Sequence, residues 1–296
     1  MTTITSYGIQ PGEPLKAVRI RVWLVHLACL GIFFLPVTPA LLAWSLAGYF
    51  LRVFSWEGGS HRYFSHRSFK TSRGFALFLA ILAAAAGQRG PLWWAAHHRN
   101  HHRHSDTELD LHSPVTRPFW YAHLGWLLDQ KTLDTNLDDA KDLARFPELV
   151  WVNRFHYLFP LVVLAACVLL GQYTAAFGHS GLGLASAVWL FFLPTALSLH
   201  ASFAVNSLTH GFKPGFWHRR PYQTSDTTTN VWWLAIPTLG AAWHNNHHRY
   251  MNSARAGFRW FELDLTYAIL KLLALLGLVW DLRPVPQDVH EEAARQ

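Results

Sequence analysis

The sequence is poor in cysteine and in charge, and each shortage excludes a class of protein. Its two cysteines, Cys29 and Cys167, both lie inside apolar runs, which excludes a disulfide scaffold. Charged residues make up 15% of the chain and hydrophobic residues 51%, whereas soluble domains carry roughly 25% charged residues. Together with 15 Trp, 20 Phe and nine Tyr, this composition also excludes a disordered or collagen-like chain.

Two long windows, residues 22–51 and 155–212, contain no Lys, Arg, Asp or Glu. A membrane helix needs about 20 apolar residues, so each window can hold a helical hairpin, and Pro36 and Pro39 mark the turn of the first. The sequence therefore predicts an all-α polytopic membrane protein with four transmembrane helices. The predicted spans are 17–35, 38–56, 155–171 and 184–204.

Two other apolar stretches are predicted not to cross the membrane. Residues 75–87 are too few for a span, and residues 266–280 carry Lys271 near their middle, as in an interfacial helix. All 25 Lys and Arg then lie on one side, which the positive-inside rule assigns to the cytoplasm together with both termini. Residues 57–154 and 205–296 form a cytoplasmic cap there, and residues 1–296 form one domain. No basic helix accompanies the net charge of +7, so we expect no nucleic-acid partner.

The abundant residue is histidine, with 19 copies, and nine of them fall into four groups. The spacing His-x-x-His-His occurs twice, and on a helix its three rings lie within an arc of about 100°. A pair spaced i, i+5 lies about 140° apart on an ideal α-helix, so its two rings are expected to reach different ions. The four groups are His61 and His66; His98, His101 and His102; Asn206 and His210; and His244, His247 and His248.

Nine imidazoles exceed the needs of one tetrahedral zinc site, so the sequence predicts two ions that share the set. Imidazole suits Zn, Cu, Fe and Ni, and ligand type alone does not choose among them. Carboxylates often accept the second N–H of such rings, although each acidic residue taken alone is expected to be a hydrated surface charge. The candidates are Glu57, Asp106, Asp110, Asp226 and Asp264.

The remaining histidines are expected to have other roles. His26, His156, His179 and His200 are predicted to be core or interfacial residues, and His218 and His290 to be surface residues. Four others stay open between surface positions and support of the metal ligands. They are His97, His104, His112 and His123.

The order of the four groups resembles that of the membrane fatty acyl desaturases, in particular the stearoyl-CoA (Δ9) type in a bacterial form without a cytochrome b5 domain. The likeness covers residues 41–281 and includes SHRYFSHR at 60–67 and WHNNHH at 243–248. It implies four spans under a helical cap in which the nine histidines hold two irons. It also implies that Asn206 reaches one iron through a water, and that the membrane is a bacterial inner membrane.

The resemblance implies an O2-dependent oxidoreductase that inserts a cis double bond, at Δ9, into a saturated acyl chain. The chain would be carried as acyl-CoA, acyl-lipid or acyl-carrier protein, and two electrons would come from a separate ferredoxin, rubredoxin or cytochrome b5. It further implies a bent apolar tunnel beside the irons, capped near Tyr49, a bulky residue that would limit chain length. Candidate lining residues are Trp93, Trp94, Trp243 and Trp260.

The chain departs from the family pattern at two places. Ala96, His97 and Gln130 stand where animal acyl-CoA enzymes carry charged residues for the CoA head, which leaves Lys131 as the basic candidate for a substrate contact. This weakens acyl-CoA as the substrate and leaves acyl-lipid and acyl-carrier protein open. Residues 240–242 read Gly-Ala-Ala, where the family usually shows Gly-Glu-Gly.

Three other functions remain open beside desaturation. A di-iron alkyl or carotenoid hydroxylase would use similar histidine groups, which are called histidine boxes. Alkane hydroxylases, however, carry Glu inside their boxes, and the boxes of this chain have none. A metal transporter or sensor would need polar groups within its spans, whereas the dense histidine groups lie outside the charge-free windows. An acetylenase could carry the same boxes. The sequence favours the desaturase.

Overall fold

The computed structural model describes residues 6–294, so the outermost residues of the predicted single domain, including both termini, lie outside the described part. The described chain is mostly helical. Its α-helices are α1 (Leu15–Ala28), α2 (Pro39–Phe54), α3 (Arg73–Ala85), α4 (Pro91–His104), α5 (Phe119–His123), α6 (Lys141–Ala144), α7 (Pro147–Arg154), α8 (Leu158–Tyr173), α9 (Gly183–Ser186), α10 (Leu193–Thr209), α11 (Trp232–Ala235), α12 (His244–Arg249), α13 (Leu265–Leu275) and α14 (Gln287–Ala294).

Strands in the described part form two small antiparallel pairs, and isolated bridges join Asn230 to Arg219 and to Trp243. Strand β1 (Ile9–Gln10) pairs with β3 (Thr135–Asn136), and β2 (Lys70–Thr71) pairs with β4 (Val279–Trp280). Both pairs join segments that are distant in sequence, so they fasten the N-terminal segment and the chain after α13 to the helical body. Short 3₁₀ turns complete the structure at Cys29–Phe33, Gly125–Leu128, Gln130–Thr132 and Leu137–Ala140.

The first charge-free window folds into two helices joined by a short turn. Helix α1 continues into the 3₁₀ turn Cys29–Phe33, and α2 begins after Thr38. The hydroxyl Oγ1 of Thr38 accepts a hydrogen bond from the backbone N–H of Leu41 at 3.1 Å, which satisfies one of the free donors at the helix start. Pro39 follows as the first helical residue, where its missing N–H is not needed.

The second window also gives two helices, which differ in length. Residues 183–209 form one continuous helix of 27 residues, and it is long and apolar enough to cross a membrane. Helices α7 and α8 pass the same test only as a pair, and they are bent by 66° at their break. By length and composition the described part therefore contains one candidate span, or two with the bent pair, and the four-span count stays a prediction.

A π-helical segment, Ser55–Ser65, continues α2 without a break across the predicted boundary between span and cap. In a π-helix the backbone bonds join residues i and i+5. The N–H of His66 accordingly donates to the carbonyl of His61 at 3.2 Å. The hydroxyl of Ser65 also donates to the carbonyl of Ser60, five residues earlier, at 2.8 Å. A second π-helical segment, Ala187–Phe192, connects α9 to α10.

The largest apolar cluster packs the π-helical segment against α3, α4 and α13. Its most buried members include Phe64, Leu79, Leu92 and Leu270. Burial of side chains of this size stabilises a fold by about 1.5–3 kcal/mol each. This packing fixes the mutual positions of the helices that carry the first and second histidine groups.

Candidate metal centre

The nine predicted histidines come together in two adjacent clusters. Within each cluster, one nitrogen from every ring lies within 4.8 Å of all the others. The five-histidine cluster consists of His61, His66, His98, His102 and His247. The four-histidine cluster consists of His101, His210, His244 and His248.

Each His-x-x-His-His box divides its rings between the two clusters. In α4, His98 and His102 belong to the five-histidine cluster and His101 to the four-histidine cluster. In α12 the assignment is reversed, because His244 and His248 join the four-histidine cluster and His247 the five-histidine cluster. Positions i and i+4 lie about 40° apart on an α-helix, with i+3 about 60° away on the other side. One helix face therefore serves two sites.

His61 and His66 share the five-histidine cluster, contrary to the expectation that they reach different ions. That expectation assumed an ideal α-helix, whereas these residues lie in and just after the π-helical segment. The wider turn of a π-helix brings positions i and i+5 to the same side. The two rings meet edge to face, with centroids 4.9 Å apart.

The Nε2 atoms of the five-histidine cluster converge on one another. His66 Nε2 lies 2.8 Å from His98 Nε2, and His61 Nε2 lies 2.9 Å from His247 Nε2. His102 Nε2 lies 3.0 Å from the Nε2 of both His98 and His247. His61 donates its Nδ1 proton to Glu57 Oε2 at 2.7 Å, so its Nε2 presents a lone pair to the cluster.

Three of the four rings in the four-histidine cluster donate their Nδ1 proton to a carboxylate. His101 donates to Asp110 at 2.9 Å, His210 to Asp106 at 3.1 Å and His248 to Asp226 at 2.6 Å. These bonds leave the Nε2 lone pairs directed away from the carboxylates, as in rings that bind metal.

Of the five acidic candidates, four bind cluster histidines, and none is a hydrated surface charge: four are buried, and Asp106 is half-buried with its side chain 6% exposed. Glu57 and Asp110 have no exposed surface. Asp264 differs from the other four because it pairs with Arg62, at 2.9 and 3.0 Å, and not with a histidine. The expectation of isolated surface charges was wrong because it weighed each residue alone, without the ring that each one faces.

Burial sets the charge state of the rings. It lowers the pKa of five cluster histidines well below 6.5, and neighbouring imidazoles lower it further. His101 is an exception, because the facing Asp110 outweighs burial and raises its pKa. Metal binding requires neutral imidazole. These five rings are His66, His98, His102, His244 and His247, and burial also lowers the pKa of a sixth, His248, to about 4.

The four carboxylates that face cluster rings stay ionised in the same surroundings, because their pKa values are lowered. Burial disfavours the charged form of Asp226, but hydrogen bonds from His248, Thr224 and Thr228 outweigh it and hold the pKa of that carboxyl below its usual range. An anionic acceptor behind a ring makes the imidazole a stronger metal ligand.

Unpartnered nitrogens show that the four-histidine cluster fits a metal ion. The Nε2 atoms of His101 and His248 and the Nδ1 atom of His244 are buried without a hydrogen-bond partner in the described part. Orphaned buried polar atoms are costly unless a ligand completes them. A donor set of nine mostly neutral imidazoles suits two ions of the Fe, Zn, Cu or Ni type.

A mostly apolar cavity leads to the five-histidine cluster. It is lined by residues of α1, α4, α8 and α10, and His98 and Asn206 are among them. Trp93 and Trp94, two of the predicted tunnel residues, also line it. The other predicted contacts lie elsewhere: Tyr49 donates a hydrogen bond to the Pro237 carbonyl, Trp243 packs against α11, Trp260 is 91% exposed, and Lys131 is exposed.

Two features near the clusters were not predicted from sequence. His112, one of the histidines left open, lines the cavity and lies 3.5 Å from Asp110. His26, His200 and His123 form a hydrogen-bonded row that ends on Ser207, with successive distances of 3.0, 2.9 and 2.7 Å. Isolated histidines in a sequence give no spacing signal for such contacts.

Comparison with known proteins gives consistent matches. The family model described as fatty acid desaturase matches residues 36–280. An acyl-CoA C20 Delta5-desaturase from Anemone leveillei is 37% identical, over 81% of this chain and 72% of the relative. An sn-1 stearoyl-lipid 9-desaturase from Anabaena variabilis is 32% identical, over 88% of this chain and 90% of the relative. Delta-9 acyl-lipid desaturase 1 from Arabidopsis thaliana is 33% identical, over 88% and 80%.

Proposed function

Because the chain belongs to the fatty acid desaturase family and is an oxidoreductase that acts on fatty acyl chains, we propose that it is an O2-dependent di-iron Δ9 desaturase of lipid-linked acyl chains. It would insert a cis double bond into a saturated chain with two electrons from a separate redox protein. The observation that carries the proposal is the pair of histidine clusters, one of which borders an apolar cavity through His98.

The five-histidine cluster would hold one iron and the four-histidine cluster the other, with Asn206 reaching one of them through a water. Two irons supplied with O2 and two electrons provide the oxidising power to remove hydrogen from an unactivated methylene. The buried carboxylates Asp106, Asp110, Asp226 and Glu57 orient the rings that would hold these ions.

The cavity residues would choose which carbons react. Removal of hydrogen from an unactivated chain needs no acid or nucleophile, so regiochemistry depends on position. Trp94 stacks on the ring of His98 with centroids 4.7 Å apart, and Trp93 stacks on Trp126 at 5.8 Å. These indoles form a rigid wall beside the five-histidine cluster, and the apolar lining excludes water from the chain.

The head group and the bond position are proposed from the relatives and from the departures in this sequence. Two of the compared relatives are named for lipid-linked substrates and position 9, and one for acyl-CoA and position 5. Lys131 is proposed as an exposed basic residue near the substrate, and Tyr49 is proposed to cap the tunnel and limit chain length. Acyl-CoA and acyl-carrier protein are the alternative carriers.

We propose that the four predicted spans cross a bacterial inner membrane and that residues 1–296 form one domain with a cytoplasmic cap and cytoplasmic termini. Large apolar side chains are exposed along each of the four segments, as expected for helices that face lipid. Examples are Leu27, Phe33, Leu46, Val162, Leu169, Leu184 and Leu197. The basic cap would receive an acidic electron carrier, such as a ferredoxin, a rubredoxin or cytochrome b5.

The test is a lipid profile of a host that lacks Δ9 desaturation and expresses this chain. Mass spectrometry would locate new double bonds, and cells that carry His98→Ala or His247→Ala would serve as matched controls. A new monoenoic acid that disappears in both variants is the expected result.

Other products would redirect the proposal. Hydroxylated lipids would assign the chain to the hydroxylases, and a triple bond formed from an existing double bond would assign it to the acetylenases. Purified protein that retains zinc and no iron would contradict the di-iron centre.

A further inference from the structure

Arg89 is a buried arginine that lines the apolar cavity, just before α4. Its side chain is 4% exposed. It lines the apolar cavity and also a second, more polar cavity that Gln10, Asn153 and His156 help to line. Arg89 therefore stands where an apolar chain would end and a polar head would begin.

The guanidinium of Arg89 is largely without partners. Its Nε and Nη2 atoms are buried and make no hydrogen bond within the described part of the chain. Nη1 makes one long contact of 3.4 Å to the carbonyl of Leu133, and the group lies over the ring of Trp93, 4.8 Å from its centroid. The contact with Trp93 holds the guanidinium plane in place and leaves two donors free.

The acidic groups nearest to Arg89 are engaged elsewhere. Both oxygens of Glu13 accept hydrogen bonds from Arg21, at 2.5 and 2.6 Å. Asp134 accepts one from the backbone of Gly12 at 2.9 Å. Among residues 6–294, no carboxylate forms an ion pair with Arg89.

A buried arginine without an ion-pair partner destabilises the fold. Burial of an unpaired cation costs several kcal/mol, and burial lowers the pKa of Arg89 to about 10. Its backbone also has φ of 67°, a left-handed conformation that residues other than glycine rarely adopt. A ligand that completes the two free donors would offset these costs.

We propose that Arg89 binds the phosphodiester of a glycerophospholipid whose acyl chain occupies the cavity. This inference rests on the proposed function and deepens it by naming the carrier of the acyl chain. The planar fork of a guanidinium matches two oxygens of a phosphate or a carboxylate. The group expected to bind Arg89 is thus an oxyanion.

The position of Arg89 selects among the sources of such an oxyanion. Because Arg89 itself lines the apolar cavity, its partner must lie within a few bonds of the acyl carbonyl. The phosphodiester of a glycerophospholipid meets this condition, whereas the phosphates of CoA or of an acyl-carrier protein lie beyond a long pantetheine arm. A free carboxylate also meets it and is separated by the experiment.

The experiment measures equilibrium binding to the iron-loaded full-length protein in detergent. Competition against radiolabelled distearoyl phosphatidylglycerol would rank unlabelled phosphatidylglycerol, distearoylglycerol, stearate and stearoyl-CoA. Hydrogen bonds to a charged group contribute about 1.5–3 kcal/mol, which corresponds to about 10- to 100-fold in affinity. We expect this preference for phosphatidylglycerol over uncharged distearoylglycerol.

Variants assign the preference to one side chain. Arg89→Gln should abolish the discrimination by weakening only phosphatidylglycerol, and Arg89→Lys should retain part of it. The matched control is Arg117→Gln, the same substitution at an exposed arginine of the cap, which should bind as the wild type does.

Three results would overturn the inference: equal wild-type affinity for phosphatidylglycerol and distearoylglycerol, discrimination that survives Arg89→Gln, or an Arg89-dependent preference for stearate or stearoyl-CoA. The wild-type comparison decides even if a variant fails to fold. The lipid profile tests the proposed function separately, because a desaturated product without head-group discrimination overturns only the role of Arg89.

Discussion

The two histidine clusters differ in what lies behind their rings. In the four-histidine cluster three rings donate to a buried carboxylate, namely Asp106, Asp110 or Asp226. In the five-histidine cluster only His61 does so, to Glu57. The cluster with fewer nitrogens thus has more negative charge around it, and the cluster with more nitrogens has less.

This difference separates two ways of holding a cation. Outer carboxylates strengthen each imidazole as a ligand, whereas a fifth imidazole adds a neutral donor. The five-histidine cluster also borders the apolar cavity through His98. A nearby anion would be unfavourable there, because the surroundings are apolar. Three of the carboxylates therefore gather around the cluster whose rings do not line the cavity.

The largest effect is expected when one histidine is removed from either cluster, and the two losses of iron can then be compared. His101→Ala leaves three nitrogens in the four-histidine cluster, and His66→Ala leaves four in the other. We expect product formation to be lost in both variants and iron to be lost more completely in His101→Ala. The loss of affinity should exceed the roughly 10- to 100-fold that removal of an outer hydrogen-bond partner costs.

Metal analysis of the purified variants measures this effect. His104→Ala is the matched control, since His104 lies on α4 but outside both clusters. Equal iron content in His66→Ala and His101→Ala would contradict the inequality of the two clusters.

Substitution of a carboxylate that accepts a hydrogen bond from a cluster histidine should lower the affinity for one ion and not for the other. Asp226→Asn removes the anion behind His248, and we expect affinity for one of the two ions to fall by about 10- to 100-fold. Glu57→Gln should affect the other ion and also lower the melting temperature, because Glu57 accepts a hydrogen bond from buried Arg62 at 2.8 Å. Competition with a chelator measures both affinities.

The control for Asp226 is Thr224→Val. Thr224 donates to Oδ1 of Asp226, whereas His248 donates to Oδ2, so this variant should keep both ions. If Asp226→Asn bound both ions as the wild type does, the carboxylates would have no role in metal binding.

A bulky residue in the cavity tests which cluster faces the substrate. Leu199 is buried and lines the cavity, so Leu199→Trp should obstruct the approach to His98. Overpacking costs about 1–3 kcal/mol, and we expect turnover of stearoyl lipid to fall by about tenfold, which corresponds to 1.4 kcal/mol.

Iron content should not change in Leu199→Trp. Leu197→Trp, two residues earlier on an exposed face of α10, should retain wild-type turnover. Unchanged turnover in Leu199→Trp would mean that the acyl chain reaches the centre by another route.

The smallest effect is expected at an exposed residue that belongs to neither cluster. Lys131 is exposed, and an exposed charge contributes about 0–1 kcal/mol, so Lys131→Ala should lower turnover by less than about fivefold. A larger loss in a lipid-turnover assay would give Lys131 a direct part in binding the head group.

The sequence identified the nine histidines because box spacing reports which residues share a helix face. It could not divide each box between two clusters, since that depends on which neighbouring helix each ring meets. The pairing of His61 with His66 was missed for a different reason. A π-helical segment is stabilised by tertiary contacts, such as those of Glu57 and Arg62, and an i, i+5 spacing by itself indicates separate faces.

The burial of the acidic residues could not be predicted from the sequence either. Asp106 and Asp110 follow α4 in a polar stretch, where hydration is the ordinary expectation, and the facing rings come from elsewhere in the chain or from an earlier turn. Arg89 gave no signal either, because a lone arginine before a helix is ordinary. Its burial depends on the N-terminal segment and on residues near α7.

The division of each His-x-x-His-His box between the two clusters has a consequence for protein design. Each box supplies donors to both clusters, so neither box is a portable module. A single His-x-x-His-His helix placed in another bundle would carry only part of each donor set. A designer who wanted one of these centres would have to transfer α4, α12 and the π-helical segment as one unit, with their relative rotation preserved.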